Sequence, residues 1–265
     1  MPNTQYEERL GTDRMLPLVF RMALPAVAAQ LVNLLYTLVD RVYIGHIPGI
    51  GTDALAGVGV TSSVIILISA FSAIVAGGGA PLAAIALGQG HRERAGKILG
   101  NGFVLLVLFA VVTSTVSYLF MKPILTSIGA STHTLPYAVD YLSVYLLGTL
   151  FVEVAVGLNT FINCQGRPGV AMCSVIIGAV LNIALDPLFI FAFDMGVKGA
   201  ALATILSQAC SAVWVLAFLT SRRASLQLER RYLQLDRRIV GATLALGLSP
   251  FIMASTESLV GFVLN

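Results

Sequence analysis

Apolar residues dominate long blocks of this chain, and polar residues collect between them. Seven blocks stand out: Leu16–Gly45, Ala54–Leu87, Ala95–Phe120, Leu135–Asn163, Val170–Phe193, Gly199–Ser221 and Gly241–Asn265, the last reaching the end of the sequence. A hydrocarbon layer about 30 Å thick is crossed by about 20 helical residues, so each block predicts a membrane span. The second is too long for one straight span. Gly77-Gly78-Gly79-Ala80-Pro81 predicts a bend in it, because glycine is permissive and proline removes a backbone donor.

Composition agrees with lipid as the solvent. The hydrophobic fraction is 57%, the charged fraction 11% and the mean hydropathy +0.88, whereas soluble domains carry about 25% charged residues. The expected class is an all-α membrane protein. Glu7, Glu8, Arg9, Asp13 and Arg14 precede the first block, and no small-residue cleavage site follows it. The first block is therefore expected to remain as a span. Cys164, Cys173 and Cys210 lie in or at the end of apolar blocks without a C-x-x-C pair, and read as packing residues. His46, His91 and His133 are scattered in or near loops, which argues against a histidine metal centre.

Basic residues orient the spans. Arg9, Arg14, Arg21, Arg92, Arg94, Lys97, Arg167, Arg222, Arg223, Arg230, Arg231, Arg237 and Arg238 fall on one side, and Arg41, Lys122 and Lys198 on the other. Cytoplasmic loops are enriched in Lys and Arg, so a multi-pass protein with a cytoplasmic N-terminus is expected. The basic stretch Arg222–Arg238, with Leu226, Leu228, Leu233 and Leu235 between its charges, admits two readings. One is a helix lying on anionic headgroups; the other is a plain linker between bundles.

Candidate chemistry lies in the acids at membrane depth: Asp40, Glu153, Asp186 and Glu257. Charges there are expensive and by default mark ion or substrate paths. No Lys or Arg sits mid-span to neutralise them. Low dielectric favours the neutral form of an unpaired carboxyl, which suits it to take up a proton or a metal cation. Asn33, Tyr36, Thr37 and Asp40 share one helical face, Asn182 and Asp186 are one turn apart, and so are Thr204 and Gln208. Their oxygens suit a hard cation, with Na+ at Asp40, Asn182 and Asp186 one option. Structural readings stand beside these. Asp40 next to Arg41 also fits an end-of-helix ion pair, and Asp186 before Pro187 also fits a partner for freed backbone groups. Asn182, Thr204 and Gln208 equally fit hydrogen bonds between helices.

Several segments together resemble the multidrug and toxic compound extrusion (MATE) family. They are Ala23-Leu24-Pro25 through Leu38-Val39-Asp40, Gly88-Gln89-Gly90, and Gln165-Gly166-Arg167-Pro168 followed by Leu181-Asn182-Ile183-Ala184-Leu185-Asp186-Pro187-Leu188-Phe189-Ile190. Gly196-Val197-Lys198-Gly199-Ala200-Ala201, Ala203-Thr204 and Ser207-Gln208 continue the likeness. The resemblance implies two six-helix lobes and an antiporter in which H+ or Na+ entry drives export of cationic or amphipathic compounds. It implies a cation site in the first lobe at Asp40, Asn159, Asn182, Asp186 and Thr204. It also implies a functional acid on span 7, where Glu257 stands. Asn33, Tyr36, Thr37, Glu153, Gln208 and Glu257 are then expected along the substrate cavity.

Such transporters are about twice as long, so the chain is expected to be the N-terminal half. Residues 1–15 would be a cytoplasmic segment, 16–221 a six-span lobe, 222–240 the basic linker and 241–265 the first helix of a second, mostly absent lobe. Pro25…Asp40 and Pro250…Asn265 have equal spacing, as in the internal repeats of transporters. Pro25 and Pro187 are expected hinges, with cation binding at Asp40 and Asp186 letting span 1 bend at Pro25. The expected partners are a small-molecule substrate, membrane lipid and the second lobe, with no nucleic acid, no cofactor beyond the coupling ion and no enzymatic activity. The expected location is the inner cell membrane. A flippase for lipid-linked sugars is the alternative, but it would line its cavity with Arg or Lys. A membrane aspartyl hydrolase using Asp40 and Asp186 lacks its Gly-x-Gly-Asp motif.

Overall fold

The computed structural model describes residues 15–264, and among these it contains helices and short connections but no strand. The helices are α1 (Met15–Gly45), α2 (Gly51–Ile74), α3 (Ala80–Gly88), α4 (Arg92–Leu119), α5 (Met121–Ser127), α6 (Leu135–Cys164), α7 (Pro168–Pro187), α8 (Gly196–Thr220) and α9 (Arg237–Leu264). Seven spans result among the described residues, each long and apolar enough to cross a membrane: α1, α2 with α3, α4, α6, α7, α8 and α9. The chain is a multi-pass membrane protein. Several helices extend a few residues past the predicted apolar runs, because charged residues such as Arg92, Glu93 and Arg237 can stay helical beyond the hydrocarbon. The short α5 was not predicted from the pattern.

The expected bend in the second span takes a different form. Val75–Gly79 forms one π-helical turn, and the backbone stays helical from Ile74 through Ala80. Pro81 then opens α3, where its missing donor costs little. A second π turn, Leu188–Ala192, follows Pro187. α1 runs through Pro25 as one continuous helix.

Burial is reversed relative to a water-soluble protein. Leu31, Leu34, Leu38, Val111, Leu119, Val180 and Val213 are exposed, while Asp40, Glu153, Asn182 and Asp186 are buried. In lipid the outer face needs no polar cover, so polar groups gain most from the interior. α6 occupies the centre, packed on α8, α4 and α2, while α7 joins α8 to α1 and α9 lies along α2. Small residues permit close approach: a side chain at Gly148 would strike Ile205, and one at Gly157 would strike Leu106.

The segment between α8 and α9 does not form the headgroup helix entertained above. Its regular structure is a single turn, Arg230–Tyr232. Leu226 and Tyr232 are buried. The amide N–H of Leu226 donates to Gln165 Oε1 at 2.9 Å, that of Asp236 donates to Asn101 Oδ1 at 2.7 Å, and Asn101 Nδ2 donates to the Gln234 carbonyl at 3.1 Å. Two side-chain amides thus satisfy backbone groups that a helix would have paired internally. The face of the bundle carrying this segment is called the linker face below.

Candidate functional site

Asp40 reverses the pattern of its helix. Among the residues of α1 whose exposure is described, Asp40 and Ile44 are the buried ones. α1 packs against α7, which brings Asp40 beside Asp186 with their carboxyl groups at hydrogen-bonding range. Arg41, the next residue, is exposed. Asp40 therefore turns into the bundle, away from the end-of-helix position that an ion pair would favour.

Asn182 stands one turn before Asp186 and ties two helices together. Its Nδ2 donates to Asp186 Oδ1 at 3.3 Å and to Thr204 Oγ1, on α8, at 3.4 Å. Tyr141 of α6 lies beside Thr204 and within electrostatic reach of Asp40. Asp186 is 0% exposed and Asn182 2%. Oxygens remain without a hydrogen-bond partner: Asp40 Oδ1, Asp186 Oδ2 and Asn182 Oδ1. Buried polar atoms without partners cost free energy, and here all are acceptors. What would satisfy them is a positive charge or an acidic proton. The donor set of two carboxylates, an amide oxygen and a hydroxyl fits a hard cation, with the amide turned to present Oδ1. Among the described residues no three His, Cys, Asp or Glu side chains come together as a metal site.

Other expected residues take different places. Asn159 lies apart from the acid pair. Its Nδ2 donates to the Ala171 carbonyl at 3.2 Å, and Ala171 precedes Asn182 by about 16 Å of helix rise. The resemblance grouped Asn159 with the acids, but it sits on α6 some 18 residues past Tyr141, and helix rise carries it toward the linker face. Glu153 is 1% exposed inside the bundle, sealed rather than cavity-lining. Glu257 is exposed on α9, while its neighbour Ser258 turns inward and donates to the Ser63 carbonyl at 2.7 Å. Tyr36 is half-buried and in contact with Thr37, whose hydroxyl donates to the Asn33 carbonyl at 2.8 Å. Gln208 is half-buried one turn beyond Thr204. Tyr141 and Tyr145 were missed in the sequence, although Tyr141, Tyr145, Thr149 and Glu153 recur every fourth residue.

The fold and this site define a multi-pass helical membrane protein whose bundle encloses a paired-acid site. Residues 25–188 match the MatE family model, and the chain belongs to that family. It is 22% identical over 247 residues to the multidrug export protein MepA of Staphylococcus haemolyticus, covering 93% of this chain and 54% of that protein. It is 27% identical over 255 residues to the probable multidrug resistance protein YoeA of Bacillus subtilis, covering 92% and 55%. A crystal structure of MATE in complex with MaD3S superposes with a TM-score of 0.85 at 26% identity, covering 94% of this chain and 55% of that one. An inward-facing MATE family transporter of the MOP superfamily gives 0.81 at 25% identity, covering 92% and 55%. The chain spans about half the length of these relatives.

Proposed function

We propose that the chain forms the first lobe, and the first helix of the second, of an antiporter that exports amphipathic or cationic drugs in exchange for H+ or Na+. It is a transporter rather than an enzyme. The multidrug export named for its relatives supports the direction and the substrate class. The observation that carries the coupling is the Asp40–Asp186 pair, buried in the bundle with Asn182 beside the half-buried Thr204 and holding acceptor oxygens without donors.

In this reading a cation or proton from outside neutralises the pair. Two carboxylates side by side in low dielectric repel each other, so with both ionised the contact of α1 on α7 is weakened at that end. Neutralisation removes the repulsion. The α1–α7 contact then tightens and α1 bends at Pro25, the lobe cavity shrinks and substrate leaves. Asp40 and Asp186 bind the ion, while Asn182 and Thr204 orient it. The protein sits in the inner cell membrane with the linker face in the cytoplasm, so the acid pair lies in the half nearer the outside.

Efflux of a fluorescent drug by the full-length transporter, measured under imposed H+ or Na+ gradients, tests this. Asp40→Asn and Asp186→Asn are each expected to abolish gradient-driven efflux while the protein still reaches the membrane. Undiminished efflux in either variant would overturn the role of the pair. Labelling of cysteines placed at Arg223 and at His133 by an impermeant reagent tests sidedness, and labelling at Arg223 from outside would refute it.

A further inference from the structure

The acid pair does not account for Glu153. This side chain sits at the centre of α6, 1% exposed, and neither carboxylate oxygen has a hydrogen-bond partner. It ends a column on the i+4 ridge of α6: Tyr141, Tyr145, Thr149 and Glu153, all 5% exposed or less. From Tyr141 to Glu153 the ridge climbs about 18 Å. The Tyr141 and Tyr145 rings stack with centroids 6.1 Å apart. Tyr141 is within electrostatic reach of Asp40, and Tyr145 of Glu153.

Beyond Glu153 the column stops. Gly157 is closed by Leu106, and Leu158, Phe161 and Ile162 are each 0% exposed in an apolar cluster with Val75, Leu99, Val215 and Leu219. Glu153 thus has polar side chains of its own ridge, Thr149 and Tyr145, on the side of the acid pair and an apolar wall on the linker side. Tyr145, on its own helix, is the titratable group that interacts with it. The elements packed on α6, namely α2, the Val75–Gly79 turn, α3, α4, α5, α7 and α8, bring no charge to bear on it among the described residues.

An ionised, unpaired carboxylate in such a place costs several kcal/mol, so a positive charge must accompany it or a proton neutralise it. A metal cation needs several oxygen ligands. The hydroxyl one turn away, on Thr149, is already turned to the Tyr145 carbonyl. A proton needs one oxygen.

We propose that Glu153 is a second proton-accepting carboxyl, distinct from the Asp40–Asp186 pair and loaded from that pair's side of the bundle along the Tyr141–Tyr145 column. Proton uptake converts the carboxylate to the neutral acid, and release returns it. The proposal rests on the exporter reading for its use but not for its existence. A transport cycle would then move a proton through Glu153 in addition to whatever occupies the pair.

Infrared difference spectroscopy of the full-length protein in lipid nanodiscs, titrated from acid to alkaline pH, tests it. The wild type is expected to show a protonated-carboxyl band that is lost as pH rises and is missing from Glu153→Gln but retained in Asp40→Asn and Asp186→Asn. Tyr145→Phe is expected to slow hydrogen–deuterium exchange of that band and leave the aspartate bands unchanged. A Glu153→Gln spectrum that keeps every titrating band, or a glutamate band that never titrates, would overturn the proposal. Should Glu153→Gln fail to fold, isotope-labelled glutamate is expected to shift the same band, which assigns it to a glutamate, and Glu257→Gln in that background is expected to leave it in place; a band that does not shift would overturn the proposal. Because transport is not the readout, lost efflux with an intact Glu153 band would refute the exporter reading alone.

Discussion

Replacing Asn101 by alanine should release the segment joining α8 to α9. Asn101 is 1% exposed on α4 and makes three hydrogen bonds, to the Lys97 carbonyl at 2.8 Å, the Gln234 carbonyl at 3.1 Å and the Asp236 N–H at 2.7 Å. Two of these hold the connecting segment. A typical bond contributes about 1 kcal/mol net, and a buried group stripped of its partner costs about 1–3 kcal/mol. Water reaches part of this region, since Gln234 and Asp236 are exposed, so the lower end applies to each. The docked segment should lose about 2 kcal/mol, a roughly 30-fold rise in its open fraction. Arg222, Arg223, Arg230, Arg231, Arg237 and Arg238 make that segment a trypsin substrate once open. Limited trypsin digestion in detergent, with opening fast relative to cleavage, should show cleavage there about 30-fold faster. An unchanged rate in a folded variant would refute the reasoning, as would an equal acceleration at Lys198, exposed at the start of α8.

Three further outcomes follow from particular contacts. Gly148→Ala places a methyl group against Ile205; it should destabilise the bundle by about 1–3 kcal/mol, read as a lower Tm in detergent, and Ile205→Ala should restore most of the loss. Asn159→Ala should lower stability by about 1 kcal/mol through its bond to the Ala171 carbonyl, yet leave Na+ or H+ dependence of efflux unchanged, whereas Asn182→Ala should weaken that dependence; equal effects on coupling would refute the separation. Gly100→Ala sets a methyl group against the Tyr232 ring and backbone, so it should accelerate trypsin cleavage of the connecting segment as Asn101→Ala does, and a protected segment would count against the docking described.

The membrane spans are legible in the sequence because lipid imposes a one-dimensional test. A helix must pair its own backbone and show about 20 apolar residues to hydrocarbon, and both conditions are local. Asn182 and Asp186 are legible for the same reason, being one turn apart on one helix. The π turn at Val75–Gly79 was read as a bend because glycine and proline signal a departure from regularity, while its form depends on packing: side chains at Gly78 and Gly79 would strike Thr243 and Phe161.

What the sequence alone determined, then, is an all-α multi-pass protein with too few internal bases to neutralise its buried acids. The tertiary structure decided which of those acids meet. Asp40 and Asp186 are 146 positions apart, and only the packing of α1 on α7 sets them side by side. The same packing leaves Asn159 bonded to the far end of α7, seals Glu153 within the bundle and turns Glu257 outward. A helix's periodicity fixes which residues share its face, but not which neighbour that face meets. That choice is made by close packing between helices, with small residues such as Gly148 and Gly157 setting the approach.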